Sequence, residues 1–140
     1  MASIRREMVI DAAPDDVWEA VRDVGALHTR LVPGFVVATR LEEGARVVTF
    51  GNGFVARELI VDIDDDARRL VWAAVGSPRL THHNASVQVS DAGRGRSRFV
   101  WTADLLPDTA RDGVSALIDQ AMVVIKKTLE QSAEDARAVS

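Results

Sequence analysis

The sequence contains no cysteine. Disulfide staples, thiolate nucleophiles and zinc–cysteine sites are therefore excluded. No stretch approaches the roughly 18–20 apolar residues needed to span a bilayer. The start, Met1-Ala2-Ser3-Ile4-Arg5-Arg6-Glu7, lacks the apolar run of a signal peptide. No basic block is present. The formal net charge is −4, with both signs interspersed, so neither nucleic-acid binding nor membrane insertion is expected. The simplest compartment is the cytoplasm. Internal repeats, low-complexity segments and linkers are lacking too. What is present is globular composition: 140 residues, 47% hydrophobic and 27% charged. That is one domain, 1–140, long enough to bury a core without staples.

Residues 3–11 alternate, with Ile4, Met8 and Ile10 on one face, and read as a strand. Pro14 suits the first turn of a helix, where its missing N–H would be unpaired anyway. Asp15 and Asp16 complement the helix dipole, and Val17, Trp18, Ala20 and Val21 supply the apolar face. Gly25 ends that helix, and residues 26–31 form a second short one, stopped by Pro33-Gly34. From 35 to 106 the period is close to two, in segments 35–42, 45–50, 54–63, 69–75, 80–90 and 96–106. Glu43-Gly44, Gly51-Asn52-Gly53, Asp64-Asp65-Asp66, Gly76-Ser77-Pro78 and residues 91–95 separate them as turns. Six strands joined this way form an antiparallel meander. Asp108 then caps a helix whose stripe is Val114, Leu117, Ile118, Ala121, Met122, Ile125 and Leu129, about four turns long, with Lys126 and Lys127 towards its C-terminal end.

A strand, two short helices, six strands and a long amphipathic helix resemble the helix-grip fold of the START/Bet v 1-like (SRPBCC) superfamily. Ile10-Asp11-Ala12-Ala13-Pro14-Asp15-Asp16-Val17-Trp18 resembles the opening of its polyketide cyclase/dehydrase and lipid-transport branch, and Arg68-Arg69-Leu70-Val71-Trp72 is also similar to that branch. Residues 81–86 look like a feature of one bacterial subgroup without an assignable function. The resemblance covers the whole chain. It implies an α+β fold: a seven-stranded curved antiparallel sheet, two short helices after the first strand and a long C-terminal helix. It also implies a pocket between sheet and helix, since a curved sheet and a helix across its mouth do not meet everywhere. Alternatively, Trp18, Trp72 and Trp101 fill that gap and leave a plain core.

Strand parity sorts the polar candidates. In 80–90, Val87 and Val89 face inward with Thr81, His83 and Ala85, while His82, Asn84, Ser86 and Gln88 face out. In 96–106, Phe99, Trp101, Ala103 and Leu105 form the apolar face. In 54–63, Val55, Leu59, Val61 and Ile63 share a face with Arg57, and Glu58 and Asp62 share the other. Both parities of 69–75 are apolar, which leaves Trp72 open. Arg57 and His83 are thus the polar side chains expected among inward ones, and they are the candidate catalytic residues. Arg57 could hold an anionic or carbonyl oxygen, or snorkel to water or pair with an acid. His83 could hydrogen-bond a ligand or serve as acid/base, or be a core imidazole bonded to a backbone carbonyl or in the neighbourhood of Asn84. The expected ligand contacts are Arg57, Leu59, Trp72, His83, Ala85, Phe99 and Trp101 from the sheet. From the helix they are Leu117, Ala121, Met122 and Ile125.

No metal and no cofactor are expected. His82 and His83 point to opposite faces, His28 sits on a short helix, and no HExxH spacing occurs. The serines lack a G-x-S-x-G context. Gly51-Asn52-Gly53 lacks the helix and lysine of a phosphate loop and is a hairpin turn. Asp64-Asp65-Asp66 is a solvated turn without the ordered oxygens calcium needs. Three functions compete. The first is a binding or carrier domain for a small hydrophobic molecule (lipid, polyketide-like or aromatic), acting as a monomer or weak homodimer. The second is a cyclase/dehydratase-like enzyme using general acid/base groups in the same cavity. The third is a regulatory protein-interaction module, which an exposed patch at Val123 or Val124 would favour.

Overall fold

The computed structural model describes residues 1–139. Period-two segments separated by tight turns pair with their sequence neighbours, and that alone orders most of the sheet. Strands β1 (Ala2–Ile10), β2 (Val36–Glu42), β3 (Ala45–Phe50), β4 (Val55–Asp64), β5 (Arg69–Val75), β6 (His82–Gly93) and β7 (Arg96–Leu106) form one antiparallel sheet. Its order is β1-β7-β6-β5-β4-β3-β2. The meander is closed by β1, which pairs with β7 from Ala2↔Leu105 to Ile10↔Ser97. Helix α1 (Pro14–Arg22), a 3-10 turn (Val24–Ala26) and a single π-helical turn (Leu27–Leu31) fill the β1–β2 connection. A 3-10 turn (Asp108–Ala110) leads into helix α2 (Arg111–Ala138). This is the expected α+β helix-grip arrangement.

Val17, Trp18, Ala20 and Val21 pin α1 to the core. The turn after β4 contributes as well. Asp65 accepts the Trp18 indole Nε1–H at 2.9 Å and the Arg22 guanidinium at 2.8 Å. The aspartate turn is therefore a latch for α1 rather than only a solvated bend. Arg22, then Trp18, holds the Asp65 carboxyl below the usual carboxylate range. Ile118, Ala121, Met122, Ile125 and Leu129 bury one stripe of α2, and each large apolar side chain so buried contributes about 1.5–3 kcal/mol. Polar clamps tie the helix to β1. Arg6 reaches Asp119 at 2.7 Å, the Lys126 ammonium donates to the Val9 carbonyl, and Glu130 accepts from the Asp11 backbone at 2.8 Å.

Several local expectations change. Helix α2 extends well past Leu129, because the polar residues that follow are good helix formers without marking an apolar stripe. Lys126 and Lys127 consequently lie inside the helix. Asp108 does not cap α2 but opens the preceding 3-10 turn, where its carboxylate meets the Met1 ammonium at 3.3 Å. Helix α1 stops at Arg22, before Gly25. Strand β6 begins at His82, so Thr81 lies outside it and is exposed. The largest change concerns β4. A bulge between Ile60 and Asp62 shifts its phase. Ala56, Glu58 and Ile60 face the concave side, while Arg57 and Leu59 project from the convex side.

Candidate functional site

The concave face of the sheet and α2 enclose a cavity of about 500 Å³. Its floor is apolar, built from Val48, Leu70, Trp72, Val87, Phe99 and Trp101, and α2 covers it with Ile118, Ala121 and Ile125. The tips of hairpins β3–β4 and β5–β6, with the Gly34–Phe35 turn, frame the rim. There Phe54 and Leu117 remain 44% and 46% exposed, so the rim as well as the floor is apolar. Gly51 fixes this rim. Its N–H bonds the Phe35 carbonyl at 3.0 Å, and a Cβ on it would lie 2.7 Å from the Gly34 carbonyl oxygen, a contact only glycine allows.

A row of residues crosses the apolar floor on four adjacent strands. Arg46 on β3 pairs in register with Glu58 on β4, and Glu58 with Ala74 on β5. The ladder between β5 and β6 ends at Trp72↔Ala85, two pairs short of bringing Ala74 opposite His83. The His83 side chain fills that gap, its Nδ1 accepting the Ala74 N–H at 2.9 Å. At the other end of the row, the Arg46 guanidinium donates to Glu58 Oε1 at 2.8 Å and to the Val24 carbonyl at 3.3 Å. It also lies 5.9 Å from the centroid of the Trp72 ring. Arg46 is 4% exposed and the Glu58 side chain 12%, so this is a buried ion pair.

A nitrogen that accepts a backbone N–H cannot itself carry a proton. His83 is therefore a neutral imidazole with its proton on Nε2. Burial lowers its pKa, against an opposing pull from the Glu58 carboxylate, and His82 adds to the lowering. Among the described residues, Nε2 has no hydrogen-bond partner. It is not sealed in the core either, because Trp101 Nε1 is the one buried side-chain nitrogen or oxygen without a partner among those residues.

The expected site residues divide accordingly. Trp72, His83, Phe99, Trp101, Leu117, Ala121 and Ile125 meet on the cavity wall. Arg57 does not: it sits on the convex face, bonded to Glu42 Oε1 at 3.1 Å, so its inward placement is corrected. Arg57, then Arg40, keeps the Glu42 carboxyl below its ordinary range. Leu59 follows Arg57 to the convex face, where it pairs with Ala45. Ala85 faces inward but is enclosed in the core at 1% exposure. Met122 turns towards β1, into a shallow depression beside Arg6, Met8 and Lys126. Trp18 lies under α1, away from the cavity. His83 bonds a backbone N–H rather than the backbone carbonyl expected of a core imidazole. Val123 is exposed and Val124 half-buried.

Arg46 and Glu58 escape strand parity, because both faces of β4 carry apolar residues and parity alone does not say which face is concave. A signal did exist. Hairpin pairing across Gly51-Asn52-Gly53 places Arg46 opposite Glu58 whichever face is concave, and opposite charges in direct register form a stabilising cross-strand pair.

A curved antiparallel sheet gripping a long C-terminal helix around a cavity defines the helix-grip class. The match of residues 1–138 to the model of the polyketide cyclase/dehydrase and lipid transport family establishes that the chain belongs to that family. Among solved structures, the protein XoxI of Bacillus cereus superposes with a TM-score of 0.83 at 20% identity, over 98% of this chain and 99% of that one. A protein of Thermobifida fusca solved by NMR is 31% identical, with a TM-score of 0.77 over 95% and 93% of the two chains. The Zhui aromatase/cyclase of Streptomyces sp. R1128 has a TM-score of 0.69 at 19% identity, over 95% and 93%. No curated protein sequence matches the chain. These likenesses, with the family, define a ligand-binding SRPBCC domain. No helix of the described residues is long and apolar enough to cross a membrane.

Proposed function

We propose that the protein binds or carries a small hydrophobic molecule, of lipid, polyketide-like or aromatic type, in the cavity between the sheet and α2. The observation that carries this reading is the cavity itself: about 500 Å³, predominantly apolar, with an apolar rim. That is the size and character of ordinary small-molecule sites. Trp72, His83, Phe99, Trp101, Leu117, Ala121 and Ile125 are the proposed contacts. The family's description and the aromatase/cyclase among the similar structures suggest an acid/base enzyme as the other reading. The chemistry of the wall favours binding. His83 Nδ1 is occupied by the Ala74 N–H and Nε2 already holds a proton, so the neutral ring has no free lone pair to act as a base. The Glu58 carboxylate is committed to Arg46.

Native mass spectrometry of the purified protein, together with displacement of an apolar fluorophore, tests this. Wild type is expected to retain or take up apolar molecules. Ala121→Phe, which places a ring in the cavity, should weaken fluorophore binding at least tenfold while preserving the circular dichroism spectrum. A wild-type protein that binds no apolar probe, or whose binding Ala121→Phe does not affect, would refute the proposal.

A further inference from the structure

Three observations on the cavity wall restrict what its ligand can carry. The first is charge. Arg46 and Glu58 are the charged side chains lining the cavity among the described residues, and they are bonded to each other, so the wall is electrically neutral. A buried carboxylate or phosphate would find no uncompensated cation and would also face the Glu58 carboxylate, a cost of the kind that excludes charge from protein interiors. The second is direction. The Ala74 N–H fixes the tautomer of His83, which leaves Nε2–H as a donor with no partner among the described residues. The third is surroundings. The imidazole stands on a wall with Trp72 and Phe99, where a hydrogen bond counts for more than it does in water.

Building on the ligand-binding reading above, we infer that this cavity selects apolar molecules bearing an uncharged acceptor oxygen (ketone, ester or ether), held by the Nε2–H of His83, and rejects the corresponding carboxylates. The bond to Ala74 makes the imidazole a donor only. It replaces the ladder bond that β5 and β6 no longer make, and that anchors the donor on the sheet rather than on a mobile loop. Arg46 is held by Glu58 and the Val24 carbonyl, and Glu58 by Arg46, so neither is free to invert the selectivity.

The test compares three straight-chain probes of matched length, an alkane, a methyl ketone and a carboxylate, as competitors of an apolar fluorophore at about pH 7.5. The wild-type protein should bind the ketone at least tenfold more tightly than the carboxylate. His83→Leu should weaken the ketone about three- to tenfold more than it weakens the alkane, the value of one hydrogen bond. His83→Gln can accept from Ala74 through its oxygen and donate through its nitrogen, so it should restore part of the loss. A long-range ¹H–¹⁵N spectrum of the wild-type protein, which needs no variant to fold, should find Nδ1 unprotonated and Nε2 protonated. It should also find a ketone-dependent shift at Nε2. Equal affinity for ketone and carboxylate, a protonated Nδ1, or equal loss of alkane and ketone in His83→Leu would overturn the inference and leave the hydrophobic-ligand reading standing. Failure of the alkane to bind wild type would defeat both.

Discussion

Removing the Glu58 carboxylate tests the energetic weight of the buried ion pair. The two side chains are 4% and 12% exposed and meet at 2.8 Å. With charge centres roughly 4 Å apart, the attraction is about 4 kcal/mol at an effective dielectric constant of 20. In Glu58→Leu, Arg46 keeps the Val24 carbonyl and the Trp72 ring but loses the counter-charge that made its burial tolerable. Stranding one charge of a buried pair costs about 3–5 kcal/mol. Glu58→Gln retains an oxygen for the Nε–H and should cost less, about 2–3 kcal/mol. Replacing both partners, Arg46→Met with Glu58→Leu, exchanges the pair for apolar packing and should return stability to within about 1 kcal/mol of wild type. Urea denaturation measures these four proteins and Arg46→Met alone, which completes the double-mutant cycle. With a slope of about 1.5 kcal/mol/M, the Glu58→Leu midpoint should fall by roughly 2–3 M and largely recover in the double variant. Single variants within about 0.5 kcal/mol of wild type, together with a coupling energy below about 0.5 kcal/mol, would refute the reasoning, because such values belong to solvated pairs.

Gly51→Ala should cost about 1–3 kcal/mol, because the new methyl meets the rigid Gly34 carbonyl, and it should also weaken apolar-probe binding by displacing the rim. Unchanged melting and binding would show that the rim yields freely. Trp101→Phe removes an unpaired buried N–H, worth about 1–3 kcal/mol, and gives up ring area, so thermal melts should place it within about 1 kcal/mol of wild type. Trp18→Phe should be clearly worse, since it breaks the bond to Asp65. Folding lowers the His83 pKa from about 6.5. The neutral imidazole therefore contributes stability that is full above the unfolded value and is lost as pH falls towards the folded one. The stability advantage of wild type over His83→Gln should narrow when pH is lowered from about 7.5 to 5. A gap independent of pH would contradict a buried neutral ring.

Much of the fold was legible along the chain, because the relevant forces are local. Gly44, Gly53 and Gly76 sit at positive φ in the turns where the sequence places them, and each turn forces its flanking strands to pair. The α2 stripe and the inward side of β6 and β7 were readable because apolar residues occupy one parity there and polar residues the other. The same logic fails on β4, where both parities carry apolar residues and where a bulge shifts the phase part-way along. Parity therefore puts Arg57 on the wrong face and does not reveal Arg46 with Glu58. The C-terminal extent of α2 was hidden for a different reason, as its last turns are polar and carry no stripe.

The sequence by itself determined the order of pairing within the six-strand meander, the helix that crosses the sheet, and the position of His83 on the inner side of β6. Alternation and turn chemistry act between near neighbours, and those constraints are complete in the primary structure. Only the tertiary structure decided that the sheet and helix leave a cavity, that Arg46 and Glu58 neutralise each other on its wall, and that Ala74 fixes which nitrogen of His83 carries the proton. A cavity is the mismatch between two surfaces, and a tautomer is set by a partner on another strand, so neither is a property of any one segment of chain.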